Sequence, residues 1–140
     1  MESEISQIVR LYIPWFGKER FYLIYQKTNE DHVLLNITGK NKGDDSKISQ
    51  HPLKDENIKL PGYEEPLVNL NSLVFIENDF FFELFRKVKQ LEEIIKLSER
   101  EFRIINKKVG DCFSNEIFSG NLYELRVLPN ITKKFNNKVS

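Results

Sequence analysis

Two apolar runs, Phe21-Tyr22-Leu23-Ile24-Tyr25 and Val33-Leu34-Leu35-Asn36-Ile37-Thr38, stand on either side of the polar stretch Thr28-Asn29-Glu30-Asp31. Both runs are rich in β-branched and aromatic residues, and the four residues between them carry turn chemistry, so the segment reads as a β-hairpin. Gly17-Lys18-Glu19-Arg20 leads into the first strand, and Thr38-Gly39 closes the second. A cation at the start of one strand and a hydroxyl at the end of the next can converge on one phosphate.

The rest of the chain also reads mainly as β. Ile5, Ile8, Val9, Leu11 and Ile13 partly alternate with polar residues, and Pro14 ends the run because it lacks a backbone donor. A first strand over 5–13 follows. From Gly39 to Gln50 the one apolar residue is Ile48, which predicts a surface loop. Leu60-Pro61-Gly62-Tyr63 is a turn, and Leu67 to Ile76 is one strand or two short ones broken near Asn71. Phe80 to Phe85 is ambiguous: positions 81, 84, 85, 88, 91 and 95 follow a helical stripe, whereas 80, 82 and 84 alternate. Leu91, Ile95, Ser98, Phe102, Ile105 and Val109 then recur at four-three spacing before Gly110, predicting an amphipathic helix over about 89–108. Ser98-x-x-Glu101 matches a capping box, so a break at 98 is the competing parse. Beyond Asp111, apolar residues flank Ser119-Gly120-Asn121, which predicts a terminal hairpin.

At 140 residues the chain is long enough for one core with appendages. Lys and Arg together number 21 and so do Asp and Glu, so no global field advertises nucleic acid or acidic lipid, and any basic site must be local. Residues 126–140 hold four Lys or Arg and no acid, which makes the end locally basic. The single Cys112 cannot pair within the chain, and there is no leader-like or long uncharged apolar run, so a cytoplasmic protein without a membrane span is the simplest expectation. The sequons at Asn36 and Asn130 read as chance matches. No Cys/His or clustered-carboxylate spacing fits a metal site and no Gly-rich phosphate loop opens a helix, so neither metal nor cofactor is expected.

Three stretches, in this order, resemble the MazF/PemK family of toxin endoribonucleases. They are Gly17 to Arg20 before an apolar strand, Val33 to Lys40 before a polar loop, and His51-Pro52-Leu53 through Pro61-Gly62-Tyr63 to Leu70. Asp79 to Val88 is similar to the family's closing strand running into its helix, and on that comparison 80–88 is expected as a strand. The resemblance implies an SH3-like β barrel with a C-terminal amphipathic helix over residues 1–106, leaving 107–140 as an extension beside it. The chain departs from the family at Ser6-Gln7, where a Gly-Asp pair is usual, and at Phe21, where Pro usually follows the catalytic Arg. Catalysis is assigned by the resemblance to Arg20 and Thr38, in a homodimer whose sites bind single-stranded RNA and are covered by an acidic antitoxin protein of a type II toxin–antitoxin pair.

Those residue types suit the chemistry. Metal-independent RNA cleavage needs fixed donors for the charge that develops on the phosphoryl oxygens. A guanidinium at position 20 keeps its charge and can grip two oxygens, and Thr38 adds a neutral hydroxyl. Arg20 is unsuited as a simple general base because almost none of it is deprotonated at neutral pH. Trp15, Phe16, Lys18 and Lys40 are the candidate RNA contacts, with rings for base stacking and ammonium groups for phosphates. Trp15 beside Pro14 equally suits a core or a dimer interface, and Lys40 equally suits a solvated loop. His32 and His51 have unrelated contexts and read as structural, and Cys112 lacks the surroundings of a nucleophile. The rival reading is a non-catalytic SH3-like module binding protein or RNA, in which position 20 and position 38 are simply strand ends.

Overall fold

The structure is a computed structural model and describes residues 3–14, 16–39, 50–54, 58–87, 95–119, 123–127 and 132–136. Its strands are β1 (Gln7–Ile13), β2 (Lys18–Lys27), β3 (Asp31–Thr38), β4 (Gln50–Pro52), β5 (Leu67–Glu77), β6 (Ile95–Lys96), β7 (Tyr123–Val127) and β8 (Thr132–Asn136), and its helices are α1 (Asn78–Lys87) and α2 (Glu99–Ser119). The protein is mainly β, consistent with a small β barrel. The sheet runs β6-β1-β2-β3-β5-β7-β8, and β4 pairs with β5 off that path. The ladders are antiparallel except that β7 lies parallel to β5. With β3 along one edge of β5, the other is shared, β4 taking Leu67–Asn69 and β7 taking Ser72–Ile76.

The expected hairpin is β2–β3, turned at Thr28, whose Oγ1 accepts from the backbone N–H of Glu30 and Asp31. Pro14 lies outside β1, in the turn where Phe16 N–H donates to Ile13 O. β1 itself begins at Gln7, because Ser6 has a left-handed φ of 75°, a conformation that glycine adopts most easily. Ser6 is nonetheless a junction: its N–H donates to Ile24 O and its carbonyl accepts from Leu97 N–H. The segment from Leu67 to Glu77 is one strand, and the suspected break survives as an irregularity: β3 pairs Leu35 with Leu73 but Ile37 with Val68.

β2 and β3 read as continuous apolar runs because the sheet is covered on both faces. One core gathers Leu11, Ile13, Tyr22, Ile24 and Leu34 under Phe80, Phe81, Leu84 and Phe85 of α1. The other gathers Phe21, Leu23, Leu35 and Ile37 with Leu53, Ile58 and Leu60 under Ile105 and Val109 of α2. Fully burying each such side chain contributes about 1.5–3 kcal/mol.

Three expectations are corrected. Residues 80–87 are helical, not a strand: Phe80, Phe81, Leu84 and Phe85 are buried while Phe82 is exposed, which is the helical stripe and breaks the alternating one. Asp79 in the first turn and Arg86 and Lys87 in the last suit the helix dipole. A continuous helix over 89–108 does not form. Ile95–Lys96 is a short strand on β1, and the helix starts after Ser98, whose Oγ accepts from Glu101 N–H at 3.2 Å. Nor does Gly110 stop it. Interior glycine costs about 1 kcal/mol, which burial of Ile105 and Val109 and partial burial of Cys112 and Phe113 offset. The terminal hairpin exists as β7–β8, displaced past residue 120 because 113–119 belong to α2.

Candidate functional site

β2 and β3 pair Phe21 with Ile37 and Tyr22 with Asn36, so one further step of the ladder sets Arg20 beside Thr38. Side chains alternate across a strand, so Arg20, Tyr22, Asn36 and Thr38 share one face while Phe21 and Ile37 go to the core on the other. The turn after β1, with Gly17 at φ 71°, feeds Lys18 into the same strand end. On the far side, Leu60-Pro61-Gly62-Tyr63 is the turn expected: Tyr63 N–H donates to Leu60 O, and Gly62 at φ 84° makes it type II. Tyr63 is steadied by an edge-on contact with Phe21, ring centroids 5.2 Å apart.

These elements enclose a cleft of about 320 Å³ lined by Lys18, Glu19, Arg20, Ile37, Thr38, Gly39, Gly62 and Tyr63. Arg20, Thr38 and Lys18 therefore meet in one concavity. The Arg20 guanidinium lies 5.0 Å from the centre of the Phe16 ring, and Phe16 also packs against the α1-side core, so Phe16 supports the cation from below. Trp15 and Lys40 lie outside the described residues.

Among the described residues, the positive charge lining the cleft is not compensated within it. Glu19 is engaged elsewhere, its carboxylate accepting from Arg10 Nε at 2.6 Å. Among the described residues no carboxylate pairs with Arg20, and its buried Nε has no hydrogen-bond partner. The Tyr22 hydroxyl and Asn36 Oδ1 are likewise buried without partners. Burial pushes the Tyr22 phenol well above its ordinary range, with the Arg20 charge acting in the opposite direction and Tyr63 adding a smaller upward push. Tyr22 is thus a neutral phenol at any ordinary pH.

Thr38 is held from across β5. Gln50 Nε2 donates to Thr38 Oγ1 at 3.4 Å and to Asn69 Oδ1 at 3.0 Å. Gln50, Gly62 and Tyr63 are site residues that sequence reasoning did not single out. The Pro-Gly turn was visible, but its approach to the β2 start depends on pairing between segments far apart in sequence.

The two histidines stay outside the cleft. His32 sits at the opposite end of β3 from Thr38, fully buried in the strand. His51, also buried, contacts Glu101 and Lys108 of α2. A larger cavity, about 800 Å³, flanks α1 and is lined by Asp79, Phe82, Glu83, Phe85 and Arg86. Two acids against one Arg suit it poorly to an anion. Among the described residues no cluster of three or more His, Cys, Asp or Glu side chains could hold a metal ion, and no helix is long and apolar enough to cross a membrane. No family model, curated protein or solved structure matches the chain.

Proposed function

We propose that this chain is a metal-independent endoribonuclease of the MazF/PemK kind, on an SH3-like barrel, acting as the toxin of a toxin–antitoxin pair and cutting single-stranded RNA. The observation that carries the reading is that Arg20, whose guanidinium has no carboxylate partner among the described residues, lines the same cleft as Thr38 and Lys18. A phosphodiester in that cleft would receive a planar two-pronged donor from Arg20 and a neutral O–H from Thr38. As the ribose 2′-hydroxyl attacks phosphorus the P–O5′ bond breaks, and the proton lost at the 2′-oxygen is balanced by the one gained at the departing 5′-hydroxyl. Charge grows meanwhile on the non-bridging oxygens, and donors already fixed there stabilise it without reorganising. Further support comes from Ser6, which stands where the family usually has glycine and adopts a glycine-like φ of 75°.

The reading extends to partners. Lys18 would hold a flanking phosphate, Trp15 and Lys40 would add base and phosphate contacts, and a homodimer would be neutralised by an acidic antitoxin in the cytoplasm.

Induced expression in a bacterial host should arrest growth and fragment RNA. Purified protein should cut a single-stranded oligoribonucleotide in excess chelator, leave 2′,3′-cyclic phosphate ends, and spare a substrate with 2′-deoxyribose at the scissile position. Arg20→Ala should lower cleavage by about 10²–10³-fold with an unchanged far-UV spectrum. If wild type and variant prove equally harmless and equally inactive, the non-catalytic binding module replaces this reading.

A further inference from the structure

The geometry points to Gln50 as a positioning residue that turns the Thr38 hydroxyl proton toward the cleft. A side-chain amide nitrogen has two protons to donate and accepts none. Gln50 Nε2 directs one toward Asn69 Oδ1 at 3.0 Å and the other toward Thr38 Oγ1 at 3.4 Å. Thr38 Oγ1 is therefore an acceptor on its Gln50 side, and its single proton turns away from the amide. Thr38 lines the cleft, so that proton is offered to whatever anion enters. A hydroxyl that already accepts one hydrogen bond is also polarised to donate a stronger one.

The amide is held on both sides. Asn69, its buried acceptor, is its register partner across β4 and β5. The next residue, His51, anchors β4 to α2: its Nε2 lies 2.9 Å from Glu101 Oε1 and its Nδ1 2.9 Å from Lys108 Nζ. With the carboxylate accepting from Nε2–H, Nδ1 is left to accept from the ammonium, so the imidazole is satisfied at both nitrogens. Gln50 is thus fixed by its neighbours in space as well as by the short strand that carries it.

The inference rests on Thr38 donating to a phosphate, and its test is a double-mutant cycle with two readouts. Affinity is measured for a short single-stranded 2′-deoxy oligonucleotide, which cannot be cut, and single-turnover cleavage is measured for its ribose counterpart. Gln50→Met keeps the length and removes the donor, and it should weaken binding and cleavage by roughly fivefold to tenfold. The same change in Thr38→Val should cost less than about twofold, whereas in Thr38→Ser, which keeps the hydroxyl, the full loss should return. Gln50→Glu, which reverses donor to acceptor, should lose more with Thr38 present than with Thr38→Val, the latter measuring the added charge together with the lost Asn69 hydrogen bond. Thermal unfolding of each variant separates folding defects from these losses. Equal losses from Gln50→Met in the Thr38 and Thr38→Val backgrounds overturn the inference. Coupled binding losses without any cleavage leave Gln50 in its role and remove the nuclease reading; cleavage with additive losses does the reverse. If the deoxy oligonucleotide does not bind, the cycle is read on cleavage alone; if the ribose counterpart is not cut either, both fall.

Discussion

Arg20 is surrounded by groups that hold it without neutralising it. Phe16 lies under the guanidinium, Glu19 is drawn off by Arg10, and the neighbouring phenol of Tyr22 stays protonated. On the same face of the sheet as this cation are the Tyr22 hydroxyl and Asn36 Oδ1, both buried and both without a partner among the described residues. Leaving a polar group in that condition costs about 1–3 kcal/mol, while removing it and keeping the shape costs little. Tyr22→Phe should therefore leave stability unchanged or raise it by about 1 kcal/mol in urea denaturation. A loss greater than about 2 kcal/mol would mean that an ordered water satisfies the phenol. Because the phenol is buried and Tyr22 does not line the cleft, cleavage by Tyr22→Phe should stay close to wild type.

Among the elements, those governed by local chemistry were legible in the sequence. Pro14 closes β1, Thr28 to Asp31 turn the hairpin, Pro61-Gly62 makes the type II turn, and Ser98 caps α2. The Arg20 and Thr38 side of the cleft was legible for the same reason, since one hairpin fixes both ends. What escaped is what distant pairing decides. Gln50 reaches Thr38 across β5 through a three-residue strand, and no local pattern announces that. Over 80–87 the periodicity, and not the family likeness, matches the fold: Phe81, Leu84 and Phe85 mark the buried helical face. Gly110 misled because a glycine after an apolar stripe usually ends a helix. In α2 it is exposed, and a Cβ added there meets nothing within 4 Å. Gly110→Ala should consequently stabilise the protein by about 0.5–1 kcal/mol, through helix propensity and a less flexible unfolded chain. Calorimetry or urea denaturation would show this, and destabilisation would mean that α2 needs the glycine for its backbone.

At the scale of the whole molecule, His32 joins three parts of the fold. Its Nδ1–H donates to Asn78 Oδ1 at 2.7 Å, its Nε2 accepts from the Ser3 hydroxyl at 2.7 Å, and its ring stacks on Phe81 with centroids 3.8 Å apart. Asn78 in turn donates to the carbonyls of Thr28 and Asn29, so the residues before β1, the β2–β3 turn and α1 meet at one imidazole. Burial lowers the His32 pKa below 6.5, with Lys27 adding to that; the Asn78 hydrogen bond and Asp31 act in the other direction. The sign follows from proton counting: between its two pKa values the unfolded histidine is protonated more than the folded one, so acid favours unfolding. The stability from keeping this imidazole neutral is complete above 6.5 and is lost as pH falls from there toward the folded pKa. His32→Gln, which retains a donor and an acceptor without a titrating ring, should remove that part of the slope. His51 is present in both proteins, so the difference between their urea midpoints from pH 7.5 to 5 isolates His32. Parallel pH profiles for the two proteins would show that the junction does not depend on a neutral imidazole.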